Sequence, residues 1–468
     1  MSVVLTGSKL TIDEVVRVAR GGEGVEVASA ALERMRAARA VAEQALAEGA
    51  EAYGVTTGVG VRKAFRVESP GHDRLLLRQH LIGQGHEAPS DVVRATALRL
   101  VNALAQGTSV ARPELAAHLA AALAGPLPAV RVLGSIGQSD LAPLAELAEG
   151  MLAGFELEPG EALALINQNA FATGWGALAL HDAERLLGAL DVAAALDLEA
   201  FAANPDALHP ALDEVRPSRG LRETRARLAA LREGSGVEHR NLQDPLSFRA
   251  LPQLHGAARD AFRFVRTGVE LELNAHQGNP LVVPSEGRVV SVGDFEAAGL
   301  ATALDLARLV LAPVLGSAAE RAIKLLQAPL TGLPEGLGAR PGLAESALSE
   351  LGIAVQALAA EARLLGQPVS LELVSTTQAE GIEDRMTMAP LAARRLAEQV
   401  ELGARVVAVE LLLAAQACDL RGRPLGEGTR AAHDAVRRVA PFLGEGEPLP
   451  ELEPLVDLVR SGALAEVT

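Results

Sequence analysis

Apolar residues recur along this chain mostly at helical intervals, with Gly and Pro as punctuation. Thr11 and Glu14 form a capping-box pattern ahead of an apolar-periodic run that the Gly21-Gly22 pair ends, which predicts a short first helix. A second helix is predicted over about 28–47. Between it and the next helical stretch lies Tyr53-Gly54-Val55-Thr56-Thr57-Gly58-Val59-Gly60, a loop whose three glycines permit backbone conformations closed to other residues. Helical patterns with Pro and Gly breaks continue over 75–123, the 126–137 stretch reads as irregular, and another helix is predicted to begin near Leu141. Two very long periodic segments follow, over 297–327 and 391–417. In the second, Leu396, Val400, Gly403 and Val407 mark a buried seam on which Gly403 would let a neighbouring helix approach closely. One short hairpin is predicted where Asn279-Pro280-Leu281-Val282-Val283 and Val289-Val290-Ser291-Val292 flank a turn at Ser285-Glu286-Gly287.

Composition sharpens this picture. Of 468 residues, 49% are hydrophobic but only 2% aromatic, so the core is expected to be aliphatic and helical. The formal charge of -16 argues against a nucleic-acid partner, which needs a concentrated basic patch, and leaves a small-molecule substrate as the expected partner. Cys418, the one cysteine, permits no intrachain disulfide and reads as inert core in a reducing compartment. No secretory signal is evident at the N-terminus, and the longest apolar stretch, 406–417, is too short for a span and carries Glu410. A cytoplasmic protein with no membrane partner is expected. The ten histidines show no paired ligand spacing on one helix, so no metal is expected.

The ordered motifs resemble the histidine and aromatic amino-acid ammonia-lyase superfamily over nearly the whole chain. The Tyr53 to Gly60 loop is similar to that family's Tyr-Gly-Val-Asn-Thr-Gly-Phe-Gly signature. Further matches are Asn102-Ala103-Leu104-Ala105 with Arg112-Pro113, Gln243-Asp244 with Ser247 and Arg249, and Pro252-Gln253 with His255-Gly256-Ala257-Ala258-Arg259-Asp260. Asn279-Pro280-Leu281-Val282, Glu383-Asp384 and Ala392-Ala393-Arg394 continue the order. The resemblance implies an all-α, ammonia-lyase-like fold with a central bundle of long antiparallel helices, and a homotetramer with shared active sites. It divides the chain into an N-terminal catalytic-loop region, 1–200, and a long-helix bundle with C-terminal helices, 201–468, in one integrated unit.

One loop departs from the pattern. Where the family has Gly-Ser-Val-Gly-Ala-Ser-Gly-Asp-Leu, whose Ala-Ser-Gly cyclises to the electrophilic methylidene-imidazolone, this chain has Gly134-Ser135-Ile136-Gly137-Gln138-Ser139-Asp140-Leu141. Asp140 stands where cyclisation needs an unhindered glycine nitrogen, so this cofactor is expected to be absent. Ser139 or Asp140 reads either as the N-cap of the helix starting near Leu141 or, with Gln138, as lining of the site at a helix N-terminus.

By the same resemblance Tyr53, the one tyrosine in the chain, is the base that takes the substrate β-proton, and Arg249 binds the substrate carboxylate through bidentate donors. A tyrosine base needs its pKa lowered, which neighbouring positive charge could supply. Asn167 and Gln243 match polar residues around the substrate, Phe295 an aromatic wall, and Glu383 an acidic residue near the leaving nitrogen. His80, ahead of Gly83, matches the spacing of histidine-specific members and favours an imidazole substrate. Leu246 replaces a second active-site tyrosine, and Gly381-Ile382 replaces Asn-Gln before Glu383. Asp294, Glu296 and Glu380 add carboxylates that either suit a permanent cation or are solvated surface charges. A trimethylammonium group leaves without needing an electrophile, so the expected activity is cofactor-independent elimination of trimethylamine from a histidine betaine, as in ergothionase-type members. The alternatives are histidine ammonia-lyase activity and a non-catalytic ligand-binding role.

Overall fold

The computed structural model describes residues 2–67, 71–371 and 378–467. The fold is all-α as expected, with three two-stranded ladders among the described residues. The capping box forms: the Thr11 hydroxyl accepts from Glu14 N–H, and the Glu14 carboxylate accepts from Thr11 N–H at 2.9 Å, opening helix Ile12–Ala19. The second helix is Ser29–Ala47. The hairpin forms too, Leu281–Val283 antiparallel to Arg288–Val290. Two ladders had no counterpart in the sequence reading: Ser2–Leu5 runs parallel to Gly24–Val27, and Gln84–Glu87 pairs with Arg131–Leu133. Strands of three or four residues are too short for an alternating pattern to register.

Four helices exceed twenty residues: Ala170–Ala200, Leu251–Asn274, Ala298–Leu325 and Ala389–Arg421. The last two realise the long segments predicted at 297–327 and 391–417. Ala170–Ala200 escaped the periodicity because it is buried on almost every side, acids such as Asp191 and Asp197 included, so no polar face marks it. Ala298–Leu325 is long and apolar enough to cross a membrane by length and composition, with 56% of its apolar window buried in the fold. The expectation that the longest apolar stretch lay at 406–417 is thereby corrected.

The chain forms two compact units. One comprises Met1–His181, Val265–Asp305 and Pro368–Arg394. In it, buried Asn102 accepts Gly7 N–H at 3.0 Å and donates to Leu273 O at 2.9 Å, while buried Arg99 donates to Glu272 O and Ala275 O. Helix Ser90–Leu104 is thus clasped to the chain before and after it. Each bond satisfies a backbone group that burial would otherwise leave orphaned.

The second unit comprises Asp182–Phe264, Leu306–Gln367 and Arg395–Thr468. Gly403 plays its expected part, since a Cβ there would meet Leu186 Cδ2 at 2.5 Å and Leu315 Cδ2 at 3.1 Å. His255 from the matched motif is fully buried and contacts Asp191 at 2.9 Å, and Arg259 pairs with the same carboxylate, so this motif serves packing. Arg321 is also fully buried and donates Nε to Asp197 at 2.8 Å and to Glu410 at 2.9 Å. Burial, then the adjacent Glu410 carboxylate, push Asp197 well above the usual carboxylate range. One guanidinium is thus shared by two buried carboxyl groups. Replacing Arg321→Met leaves both acids buried without their cation and should cost about 3–5 kcal/mol of stability, read as a lowered urea midpoint.

Candidate active site

Tyr53 follows the Ser29–Ala47 helix, in a loop that closes on the short 3-10 turn Gly60–Arg62. Gly54 has φ 67° and lies against helix Glu161–Ile166, where a Cβ would come within 2.0 Å of Leu163 Cδ2. Only glycine fits there. The loop turns back so that Gly60 N–H donates to Tyr53 Oη at 2.9 Å. Tyr53 is half-buried, and burial raises its pKa above the ordinary phenol value; the Gly60 N–H lowers it, and the nearby Glu383 carboxylate raises it further. The lowered pKa that a tyrosine base calls for is therefore not supplied by these neighbours, whose balance runs the other way.

The Gly134 to Asp140 loop sits beside the chain that follows His80, since a Cβ on Gly134 would lie 3.4 Å from Gly83 Cα and 3.6 Å from Ile82 O. Ser139 adopts φ 64°, strained for a residue with a Cβ, and its buried hydroxyl donates to Asn167 Oδ1. Asn167 in turn donates to Asn279 O at 3.0 Å, drawing the motif loop at 279–280 to the same place. Asp140 occupies the N-cap position of helix Leu141–Met151, yet its carboxylate makes no bond to that helix. It accepts instead from Ala172 N–H in the first turn of Ala170–Ala200 and from the Ser135 hydroxyl, both at 2.8 Å, while its own amide donates to Gln168 O at 2.7 Å. The cap thus serves a helix thirty residues on.

The 378–388 stretch completes this wall. Ala379, Glu380 and Gly381 are all left-handed, and Glu383 N–H donates across the turn to Gln378 O. The turn packs on the tyrosine loop, with Ala379 Cβ 3.8 Å from where a Gly60 Cβ would stand. Farther on, Thr387 donates to Gly137 O at 2.7 Å, and Thr387 and Met388 N–H both reach Ile136 O. Gln138 donates to Glu296 at 2.9 Å, and Arg385 reaches the same carboxylate at 3.2 Å. Glu296 is thus engaged by an amide and a cation. Asn169 holds the Phe295 carbonyl, and His80 Nδ1 lies 2.8 Å from Leu76 O. Since a carbonyl can only accept, His80 carries its proton on Nδ1 and presents Nε2 as an acceptor when neutral.

This unit therefore brings Tyr53 and Glu383 together, and joins Ser139 to Asn167 and Gln138 to the Phe295-Glu296 segment; no bond ties His80 directly to these groups. Gln243 and Arg249 lie in the other unit. There the Gln243 amide oxygen accepts from Arg249 Nη1 and Nη2 at 2.8 and 2.9 Å, in an open cleft that Asn241 and Leu246 help line. The cleft floor is fixed by Phe248, stacked on Phe201 at 4.1 Å. Sequence reasoning missed Arg385, Thr387 and the long-range reach of Asp140, because each acts across tens or hundreds of residues and leaves no local spacing to read.

Comparison with known proteins makes the chain a carbon-nitrogen lyase. A family model for aromatic amino acid lyases matches residues 10–155 and 147–438, and the chain belongs to that family. It is 36% identical to the histidine ammonia-lyase of Symbiobacterium thermophilum, over 99% of this chain and 98% of that protein. It is 34% identical to that of Streptococcus sanguinis, over 94% and 91%. Among solved structures, ergothionase from Treponema denticola in complex with desmethyl-ergothioneine sulfonic acid superposes with a TM-score of 0.92 at 25% identity, over all of both chains. Histidine ammonia-lyase from Trypanosoma cruzi gives 0.90 at 28%, over 99% of this chain and 94% of that one.

These relatives overturn the expectation that the methylidene-imidazolone cofactor is absent. Histidine ammonia-lyases use that group, the chain matches several of them at 34 to 36% identity over nearly its whole length, and a changed loop does not show the group missing. The loop itself differs in what it presents: Ser139 gives its hydroxyl to Asn167, and the Asp140 amide, where the family has glycine, is bound to Gln168 O.

Burial pushes Asp140 up to about 6 from an ordinary value of 3.8, more than the Ala172 and Ser135 bonds hold it down. With the folded pKa above the unfolded one, ionisation disfavours the folded state. Stability from this group is full below pH 4 and is lost as the pH rises through about 6. Denaturant titrations should show wild type losing stability relative to Asp140→Asn between pH 4 and 6 and holding a constant difference above that range.

Proposed function

We propose that this lyase eliminates trimethylamine from a histidine-derived betaine, ergothioneine or hercynine, to give a urocanate-type acrylate, and that it acts in the cytoplasm as a homotetramer with shared active sites. The observation that carries the reading is the packing of the turn that bears Glu383 on the Tyr53 loop, near enough for its carboxylate to raise the phenol's pKa. A proton acceptor and an anion in one place suit a substrate that gives up a β-proton and carries a fixed positive charge. Tyr53 Oη takes that proton, the C–H pair becomes the new double bond, and the C–N pair departs with neutral trimethylamine. Glu383 faces the cationic nitrogen, Arg249 clamps the carboxylate, and Asn167, Gln138, Ser139, Gln243 and Phe295 line the substrate. His80 Nε2 accepts from a ring N–H, which an imidazole-2-thione offers on both sides. The likeness to ergothionase over the full length of both chains supports this choice. Leu242 and Leu246, 91% and 66% exposed beside the Arg249 cleft, give a second copy an apolar surface to cover.

The second reading is histidine ammonia-lyase, favoured by the identity to proteins of that name. Incubation with ergothioneine, hercynine and histidine in parallel, with amine release read by mass spectrometry, should give trimethylamine from a betaine. Ammonia from histidine alone would establish the second reading, and no amine from any of the three would sink both. Tyr53→Phe should lower kcat by about 10²-fold or more, with KM little changed. Because the resting Tyr53 is held above its ordinary pKa of about 10, kcat/KM should climb with pH and show no plateau below about 10.

A further inference from the structure

Beside Asn167 lies a small space lined by Ser109, Asn167, Gln168, His276 and Gly278, and by Leu163, on which the Tyr53 loop packs through Gly54. It has about 10 Å³ of room for the centre of a water molecule, the space of one. Three of its bordering side chains bring it a buried polar atom with no hydrogen-bond partner among the described residues: Ser109 Oγ, Gln168 Oε1 and His276 Nε2. Ser109 and Gln168 are 7% and 2% exposed. Leaving three such atoms unsatisfied would cost on the order of 1–3 kcal/mol each. Their chemistry is complementary to one guest. His276 Nδ1 lies 2.9 Å from Thr108 Oγ1, a hydroxyl that can donate or accept, and burial lowers the ring's pKa, which favours the neutral ring in either tautomer. Water can donate to Gln168 Oε1, accept from Ser109 Oγ, and either donate to Nε2 or accept from it, which satisfies all three atoms with three bonds.

We infer that this space is a built site for one water molecule held by Ser109, Gln168 and His276, and that this water makes His276 a positioning residue for the lyase reaction. The path runs through Gln168, whose carbonyl accepts the Asp140 amide at 2.7 Å and whose chain neighbour Asn167 receives the Ser139 hydroxyl. Gly278 packs the parts together, since a Cβ there would stand 3.3 Å from Asn167 O and Gln168 Nε2 and 3.4 Å from His276 Cε1. The positioning role rests on the lyase reading above; the water site does not.

High-resolution crystal structures of wild type, His276→Phe and His276→Gln decide the matter together with kinetics of amine release. Wild type should show a density peak within about 3 Å of all three atoms. The Phe variant should lose the peak and about tenfold in kcat, with KM and thermal midpoint little changed. The Gln variant, whose amide restores a polar partner of either kind, should recover the peak and most of the rate. Protein atoms or no density in the wild-type space would overturn the site, and an unchanged kcat in His276→Phe would overturn the positioning role. If wild type turns over none of the substrates, the functional reading fails while the density still answers for the water.

Discussion

The carboxylate of Asp140 is removed from solvent and held by the first turn of Ala170–Ala200, by the Ser135 hydroxyl and, through its own amide, by Gln168. These contacts tie the loop before Leu141 to the chain just after helix Glu161–Ile166 and to the start of the 31-residue helix. Ser139 sits between them and has little freedom left, so its hydroxyl meets Asn167 in one geometry. A buried anion is an expensive way to hold a loop, and burial already drives Asp140 towards its neutral form near pH 6. What offsets the cost is the alternative, in which the first amides of a long buried helix go without an acceptor.

Strain collects in the same place. Gly137 and Ser139 on one side, and Ala379, Glu380 and Gly381 on the other, take left-handed conformations, and the two segments are joined by Thr387 bonding to Gly137 O. A left-handed residue with a Cβ costs on the order of 1 kcal/mol. Such costs persist where surrounding bonds fix the backbone, as three bonds from Thr387 and Met388 do here. The result is a stiff wall that sets Glu383 against the tyrosine loop and Gln138 against Glu296. Unit two has its own counterpart in Arg321, which locks the turn before Arg249 by donating to Ser247 O at 3.4 Å as well as to its two acids.

Local signals in the sequence carried much of this. The Thr11 box, the 28–47 helix, the turn at Gly287 and the long final helix all follow from spacing within a few residues, and they stand within a few residues of where the pattern puts them. Motif order picked out Tyr53, Asn167 and Glu383, but the expected division at residue 200 set Glu383 apart from the other two, whereas one compact unit holds all three. Three things were out of reach. Short parallel pairing such as Ser2–Leu5 with Gly24–Val27 depends on partners rather than on pattern. The cap at Asp140 serves a distant helix instead of the adjacent one. The altered Gln138-Ser139 segment invited a conclusion about the cofactor that one loop cannot carry against similarity running the length of the chain.

The electrostatics of Tyr53 leave one step to the substrate. Burial and Glu383 hold the phenol protonated, and the single Gly60 N–H does not reverse them. An opposite charge within about 4–6 Å lowers a phenol's pKa by roughly 1–3 units. A trimethylammonium group bound at Glu383 would bring that charge, screen the carboxylate that raises the phenol, and displace the water that solvates both. The base would then be switched on by the substrate it acts upon, and idle phenolate would be scarce in the resting enzyme. A primary ammonium can do the same only while protonated, because once it gives up its proton it loses both the charge and the neutral leaving group that a trimethylammonium keeps at any pH. On this account the carboxylate beside Tyr53 is more than a counter-charge, because it keeps the base quiet until a cation arrives.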